Sequence, residues 1–129
     1  MAKLNELVNV DINRNMIQIQ GVPIPVIFTF KSFPYVEEAF GSSYGTFEKE
    51  MHKMLNKGKF TLGKKEIKLM NSLIYAMVRS GGTDCTLSEI ENAIPLTDLP
   101  GIFQVAIDLF NDQNFQKADM DKLKTEKKN

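Results

Sequence analysis

The chain contains no tryptophan, one cysteine (Cys85) and one histidine (His52). A lone cysteine cannot close an internal disulfide, which suits a reducing compartment. With one Cys and one His there is no basis for a structural zinc site, which needs a cluster of such ligands. An excess of charge is also missing: sixteen Lys and Arg offset sixteen Asp and Glu. A dedicated nucleic-acid binder draws its affinity from neutralising phosphates and is not built this way. Low self-repulsion permits copies of the chain to associate. No run approaches the ~20 apolar residues of a membrane span, and the opening MAKLNELVNVD lacks the apolar centre of a signal peptide. A cytoplasmic location is expected.

What remains is an ordinary globular composition, 43% apolar and 25% charged over 129 residues. One domain is expected, large enough to bury a core without disulfides or metals. The first thirty residues have the period-two pattern of strands. Val8, Val10 and Ile12 alternate with polar residues, Asn13-Arg14-Asn15 breaks the pattern, and Ile17 and Ile19 resume it. After Gly21-Val22-Pro23, the residues Val26, Phe28 and Phe30 form a third run. A small antiparallel meander over about residues 6–30 is predicted, with Pro23 and Pro25 at a strand start or on an edge.

From Ser32 the period becomes helical. Ser32 can cap a short helix with Pro34 in its first turn and Gly41 at its end. A second helix from Thr46 carries Phe47, Met51, Met54 and Leu55 on its apolar stripe, with Gly58 as its stop. The third, with Ile67, Met70, Leu73, Ile74, Met77 and Val78 on one face and Leu69 and Tyr75 beside it, reads as central until Ser80-Gly81-Gly82. Thr86 and Glu89 form a capping box ahead of Leu87, Ile90 and Ile94, and Pro95 bars continuation. Asp98 can cap a last helix bearing Leu99, Ile102, Phe103, Ala106, Ile107 and Phe110. The fold class is therefore α+β and mainly α. A single domain over 1–115 places a meander before about five helices (33–115), followed by a flexible, Lys-rich tail over 116–129.

Residues with chemical potential do not assemble into a motif. A Cys85–His52 nucleophilic pair would have to be made in space, and a passive thiol with a surface histidine is the simpler reading. Asp84, Glu89, Glu91 and Asp98 are scattered, and Asp108, Asp112, Asp119 and Asp121 lack calcium-loop spacing. Gly41…Gly45 and Gly81-Gly82 match no phosphate-binding pattern. Lys53, Lys57, Lys59, Lys64, Lys65 and Lys68 gather around Phe60, more in keeping with a solvated helix end than a nucleic-acid patch. Seven methionines fit core packing first and an adaptable protein-binding surface second.

The stretch VIFTFKSF (26–33), the run from Ile74 (IYAMVRSGGTDCTLSEIENAIPL) and the closing DLPGIFQVAIDLFNDQNF together resemble tail assembly chaperones of long-tailed (siphovirus-type) bacteriophages infecting Gram-positive hosts. The resemblance covers about residues 16 to 115 and rests on element order and local character. It implies a non-enzymatic protein of the host cytoplasm that needs no cofactor. Such a protein keeps the apolar, helical tape-measure protein soluble while the tail tube assembles, with the tail tube protein as a second partner. It also implies self-association, absence from the finished virion and, in many members, a longer frameshifted form. A groove between amphipathic helices would receive the tape measure, with Met51, Met54, Phe103, Ile107 and Phe110 as candidate contacts. Ordinary core packing is the competing reading of those five residues. Two other functions compete: a structural virion protein of the tail or head–tail connector, and a DNA-binding regulator. Against the regulator, the connection after residue 94 runs through Pro95 and Pro100, and the last helix is acidic.

Overall fold

The structure, a computed structural model, describes residues 1–10, 14–57 and 63–112. β1 (Arg14–Ile19) and β2 (Val22–Ile27) pair antiparallel, from Arg14↔Ile27 to Ile19↔Val22. Gln20 and Gly21 close the hairpin with φ of 54° and 77°. Two positive φ values make a type I′ turn, whose twist matches that of the flanking strands. Glycine adopts this conformation freely, whereas glutamine does so at a cost. Tertiary bonds hold Gln20 there: its backbone N–H donates to Asp98 Oδ2 at 2.9 Å, and its Nε2 donates to the Ala93 carbonyl at 2.7 Å. Asp98, expected to cap the last helix, instead fastens the hairpin turn.

The predicted three-strand meander is a two-stranded hairpin among the described residues. Arg14 and Asn15, read as turn residues, are paired with Ile27 and Val26 and belong to β1. Val8 and Val10 lie in no strand and are each 54% exposed, while Leu4–Leu7 forms a single helical turn, α1. Ile12 and the break at Asn13 lie outside the described residues. β2 also ends earlier than expected, at Ile27. Thr29 caps a 3₁₀ turn (Phe30–Ser32), which drives Phe28 into the core and leaves Phe30 72% exposed.

The helical part follows its sequence signals closely. α2 (Phe33–Phe40) has Pro34 in its first turn and ends at Gly41, whose φ is 85°. α3 (Tyr44–Asn56) begins ahead of Thr46 because the Ser43 hydroxyl accepts from the Thr46 N–H. Its proposed stop, Gly58, lies outside the described residues. α4 (Lys64–Ser80) is followed by α5 (Leu87–Ala93), whose Thr86/Glu89 capping box is formed as predicted. A last helix, α6, covers 99–112. The predicted tail over 116–129 lies outside the described residues. The fold is α+β and mainly helical.

α4 is the axis of the core. Every residue from Ser72 to Val78 is buried, so this helix is enclosed on all sides rather than along one stripe. Ile67, expected on its apolar face, is 41% exposed because the first turns of α4 precede the enclosed region. The end of α4 runs hard against β2. A Cβ on Gly81 would collide with the Pro25 carbonyl oxygen and lie 2.7 Å from its carbonyl carbon. Close by, the buried Ser32 hydroxyl donates to the Ile27 carbonyl (3.3 Å) and accepts from the Thr29 N–H (3.1 Å) and the Ser80 hydroxyl (2.7 Å). Strand end, 3₁₀ turn and α4 are thereby joined at one polar point. Glu50 of α3 pairs with Lys65 of α4, which holds its carboxyl below the usual range.

Gly81→Ala should destabilise the protein by ~1–3 kcal/mol, the usual cost of overpacking where backbone cannot retreat. Gly101→Ala, in α6 with open space around its Cβ position, should be neutral or stabilising by up to ~1 kcal/mol. Urea unfolding midpoints of the two variants should therefore move in opposite directions; a Gly81→Ala midpoint equal to wild type would refute the close approach.

Candidate functional site

The five residues proposed to contact a partner are mostly interior. Met51 and Phe110 are fully buried, Met54 and Phe103 are nearly so, and Ile107 is half-buried. The reason is their neighbours. Phe110 packs with Phe28 (ring centroids 6.3 Å), Phe47 (6.2 Å) and His52 (5.7 Å), so α6 closes over the hairpin end and α3. Phe33 and Tyr44 stack beside this group at 3.6 Å, and burial raises the Tyr44 hydroxyl's pKa far above its ordinary value. These residues are core rather than the walls of an open groove. Periodicity places apolar residues on one helix face but cannot say whether another element covers that face.

The residues weighed for chemistry are placed apart. His52 packs on Phe110 from α3. Cys85 lies in the connection after α4, lining a shallow hollow with Glu38, Tyr75, Arg79, Asp84 and Thr86, a group that does not include His52. Burial pushes the Cys85 thiol pKa up despite the nearby Arg79 guanidinium, favouring the protonated form. Arg79 is committed locally: it pairs with Asp84 at 2.6 Å, donates to the Cys85 carbonyl at 3.3 Å and lies over the Tyr35 ring at 5.2 Å. Tyr75, its pKa raised by burial and by the hydrogen bond it gives to Glu38 (3.1 Å), stays a neutral donor. Among the described residues no three His, Cys, Asp or Glu side chains cluster to hold a metal.

The basic group is divided. Lys53 and Lys65 are both drawn to Glu50, and Lys68 lies over the Phe40 ring at 5.2 Å. Lys59 and Phe60 lie outside the described residues. Among the described residues no single helix is long and apolar enough to cross a membrane. α5 with the segment 96–112 passes on composition, but the pair is bent by 93° and much of it lies in the core.

Two of the exposed apolar residues, Phe30 and Val10, share one groove, where β2 gives way to α2. Phe30 stands on the rim of this open groove of about 490 Å³, lined also by Val10, Ile27, Thr29, Tyr35 and Arg79. Leu4, Leu7, Val8 and Val10, all more than half exposed, precede it in the chain. The Thr29/Ser32 capping box holds Phe30 outward: once Thr29 turns the chain, the next side chain cannot follow Phe28 inward. This surface was missed because Phe28 and Phe30 look equivalent in a strand. The signal lay in Thr29-Phe30-Lys31-Ser32, a reciprocal cap set inside the presumed strand. Comparisons of the chain with protein-family models, curated proteins and solved structures find no match.

The two classes of apolar residue should respond differently to charge. Phe110→Ala should cost ~3–5 kcal/mol, as expected for an aromatic removed from a packed core, and Phe110→Asp should prevent folding. Phe30→Asp should leave stability within ~0.5 kcal/mol of wild type. Thermal melts followed by circular dichroism would separate them; equal losses at both positions would contradict the placement of Phe30.

Proposed function

We propose that this chain is a non-enzymatic tail assembly chaperone that binds the helical tape-measure protein and keeps it soluble while the tail tube polymerises. The observation carrying this reading is the outward-held Phe30 on the rim of an open groove in which Val10, Ile27 and Tyr35 alternate with the cationic Lys31 and Arg79. A holdase needs apolar surface that is accessible in the folded state and can be covered by a partner. Phe30 meets that condition, whereas Phe103 and Phe110 are already used by the core. The resemblance of residues 16–115 to phage tail assembly chaperones supports the same reading independently of any groove.

Binding would follow the helix-in-groove mode, in which apolar residues at helical spacing on the partner enter a hydrophobic trough. Phe30 would anchor the contact, with Ile27 and Tyr35 as the wall behind it. In the proposed role the protein acts in the host cytoplasm, hands the tape measure to the tail tube protein and does not enter the virion.

Co-expression with the tape-measure protein of the same genome tests this. A soluble complex that co-purifies is expected, with recovery falling at least tenfold for Phe30→Asp. An insoluble tape measure beside a folded chain would reject the chaperone reading. Finding the chain in purified virions would favour the structural virion protein instead.

A further inference from the structure

The two outer edges of the hairpin are treated differently. In a hairpin closed by a two-residue turn, Ile19↔Val22 is a hydrogen-bonded pair and the pairs alternate from there. Met16↔Pro25 and Gln18↔Pro23 are therefore non-bonded pairs, whose backbone groups point away from the partner strand. On β2 these positions are both proline: Pro25 leaves no N–H stranded beneath the end of α4, where it meets Gly81, and the exposed Pro23 offers none to a further strand. On β1 the outward positions are Met16 and Gln18, both exposed and both with an N–H. None of the described residues bonds those groups. Apart from Arg14 at its start β1 carries no charged residue and no proline, and among the described residues its edge borders an open hollow of about 270 Å³ whose other side is Thr97, Gly101 and Val105.

The same chain contains a strand-like segment that is in no sheet. Val8 and Val10 alternate with Asn9 and Asp11 ahead of Ile12, Val8 has extended backbone (φ −138°, ψ 162°), and both valines are more than half exposed. Val10 lines the same groove as Ile27, Arg79 and Ser80, on the β2 and α4 side of the hairpin. The pattern suits the open edge of β1. The hairpin has one apolar face (Ile17, Ile19, Ile24, Val26) and one outward face (Met16, Gln18, Pro23), and an added strand with valines on one side and polar residues on the other continues both.

We propose that β1 receives residues 8–12 of a second copy of this chain as a third, edge-added strand. A two-stranded hairpin is marginal alone, and a third strand with an apolar face is what such sheets gain most from. Each copy offers one edge and one strand, so two copies can exchange strands and close a dimer, or the exchange can pass along an open chain. Val10 cannot occupy both a neighbour's sheet and the Phe30 groove, so pairing clears one wall of that groove. The inference stands on the two edges of the hairpin and does not depend on the chaperone reading.

The test is the solution mass of the full chain over a wide concentration range, by size exclusion with light scattering. The wild type should reach at least twice the 14.6 kDa of one chain. Gln18→Pro removes the outward N–H without touching a bonded pair, and Val8→Lys with Val10→Lys spoils the added strand. Each variant should run as a monomer, and mixing the two should restore a dimer, because one edge and one segment remain intact between them. Should Gln18→Pro not fold, the valine variant, altered only at exposed positions, decides the matter alone. A monomeric wild type at every concentration overturns the proposal, as does a multimer that both variants retain. A monomer whose β1 edge captures a strand of the tape measure, with capture lost in Gln18→Pro, overturns it in favour of a different occupant.

Discussion

The fold depends on how closely the end of α4 can approach the backbone of β2. α4 packs against α2, α3, α5 and β2, so its position fixes theirs. At its end that position is set by the absence of a side chain at Gly81, where helix backbone meets the Pro25 carbonyl with no room for a methyl. Pro25 belongs to the same constraint, since a strand edge pressed under a helix end would otherwise bury an N–H without an acceptor. The Ser32 hydroxyl completes it by satisfying Thr29, Ile27 and Ser80 at one point. These features lie far apart in the chain, yet all serve one contact between a helix end and a strand edge.

That contact also determines which apolar residues are left over. With α4 seated, Phe28 and Phe110 meet at 6.3 Å and α6 closes the core, which consumes the aromatic residues that looked available for a partner. Thr29 then reverses the chain so that Phe30 cannot reach the same space. Buried Phe28 and exposed Phe30 are therefore two consequences of one turn.

The helices were legible because their signals are local: apolar spacing, the Thr86/Glu89 box, Gly41 and Gly81-Gly82 all act within a turn or two. The break between the two strands was legible for the same reason, but its place was not: Gly21-Val22-Pro23 read as the break, whereas the turn is Gln20-Gly21 and Val22 and Pro23 belong to β2. What could not be read were outcomes decided at a distance. Asp98 looks like a cap in its own neighbourhood and becomes a hairpin clasp only because Gln20 lies beside it in space. Val8 and Val10 carry a strand pattern, but pairing needs an edge, and Val10 comes to lie at the groove beside Ile27 and Arg79 instead. The candidate contacts on α3 and α6 failed to mark a surface because a helix records its apolar face without recording what covers it.

Magnitudes connect the two proposals. Burying one exposed phenylalanine is worth ~1.5–3 kcal/mol, whereas micromolar binding requires about 8 kcal/mol after association has exacted its own entropic cost. A single copy holding a long apolar helix through Phe30 and its groove falls well short of that. Lengthening the contact within one copy is difficult, because the next apolar side chains inward are already core. Copies joined through their β1 edges would instead present several Phe30 anchors to one extended partner, and linked sites gain avidity without any new kind of contact. Each anchor could then remain weak enough to release as the tube advances. In that arrangement self-association is the means by which a small chain, with most of its apolar surface spent on folding, can still hold a long apolar helix.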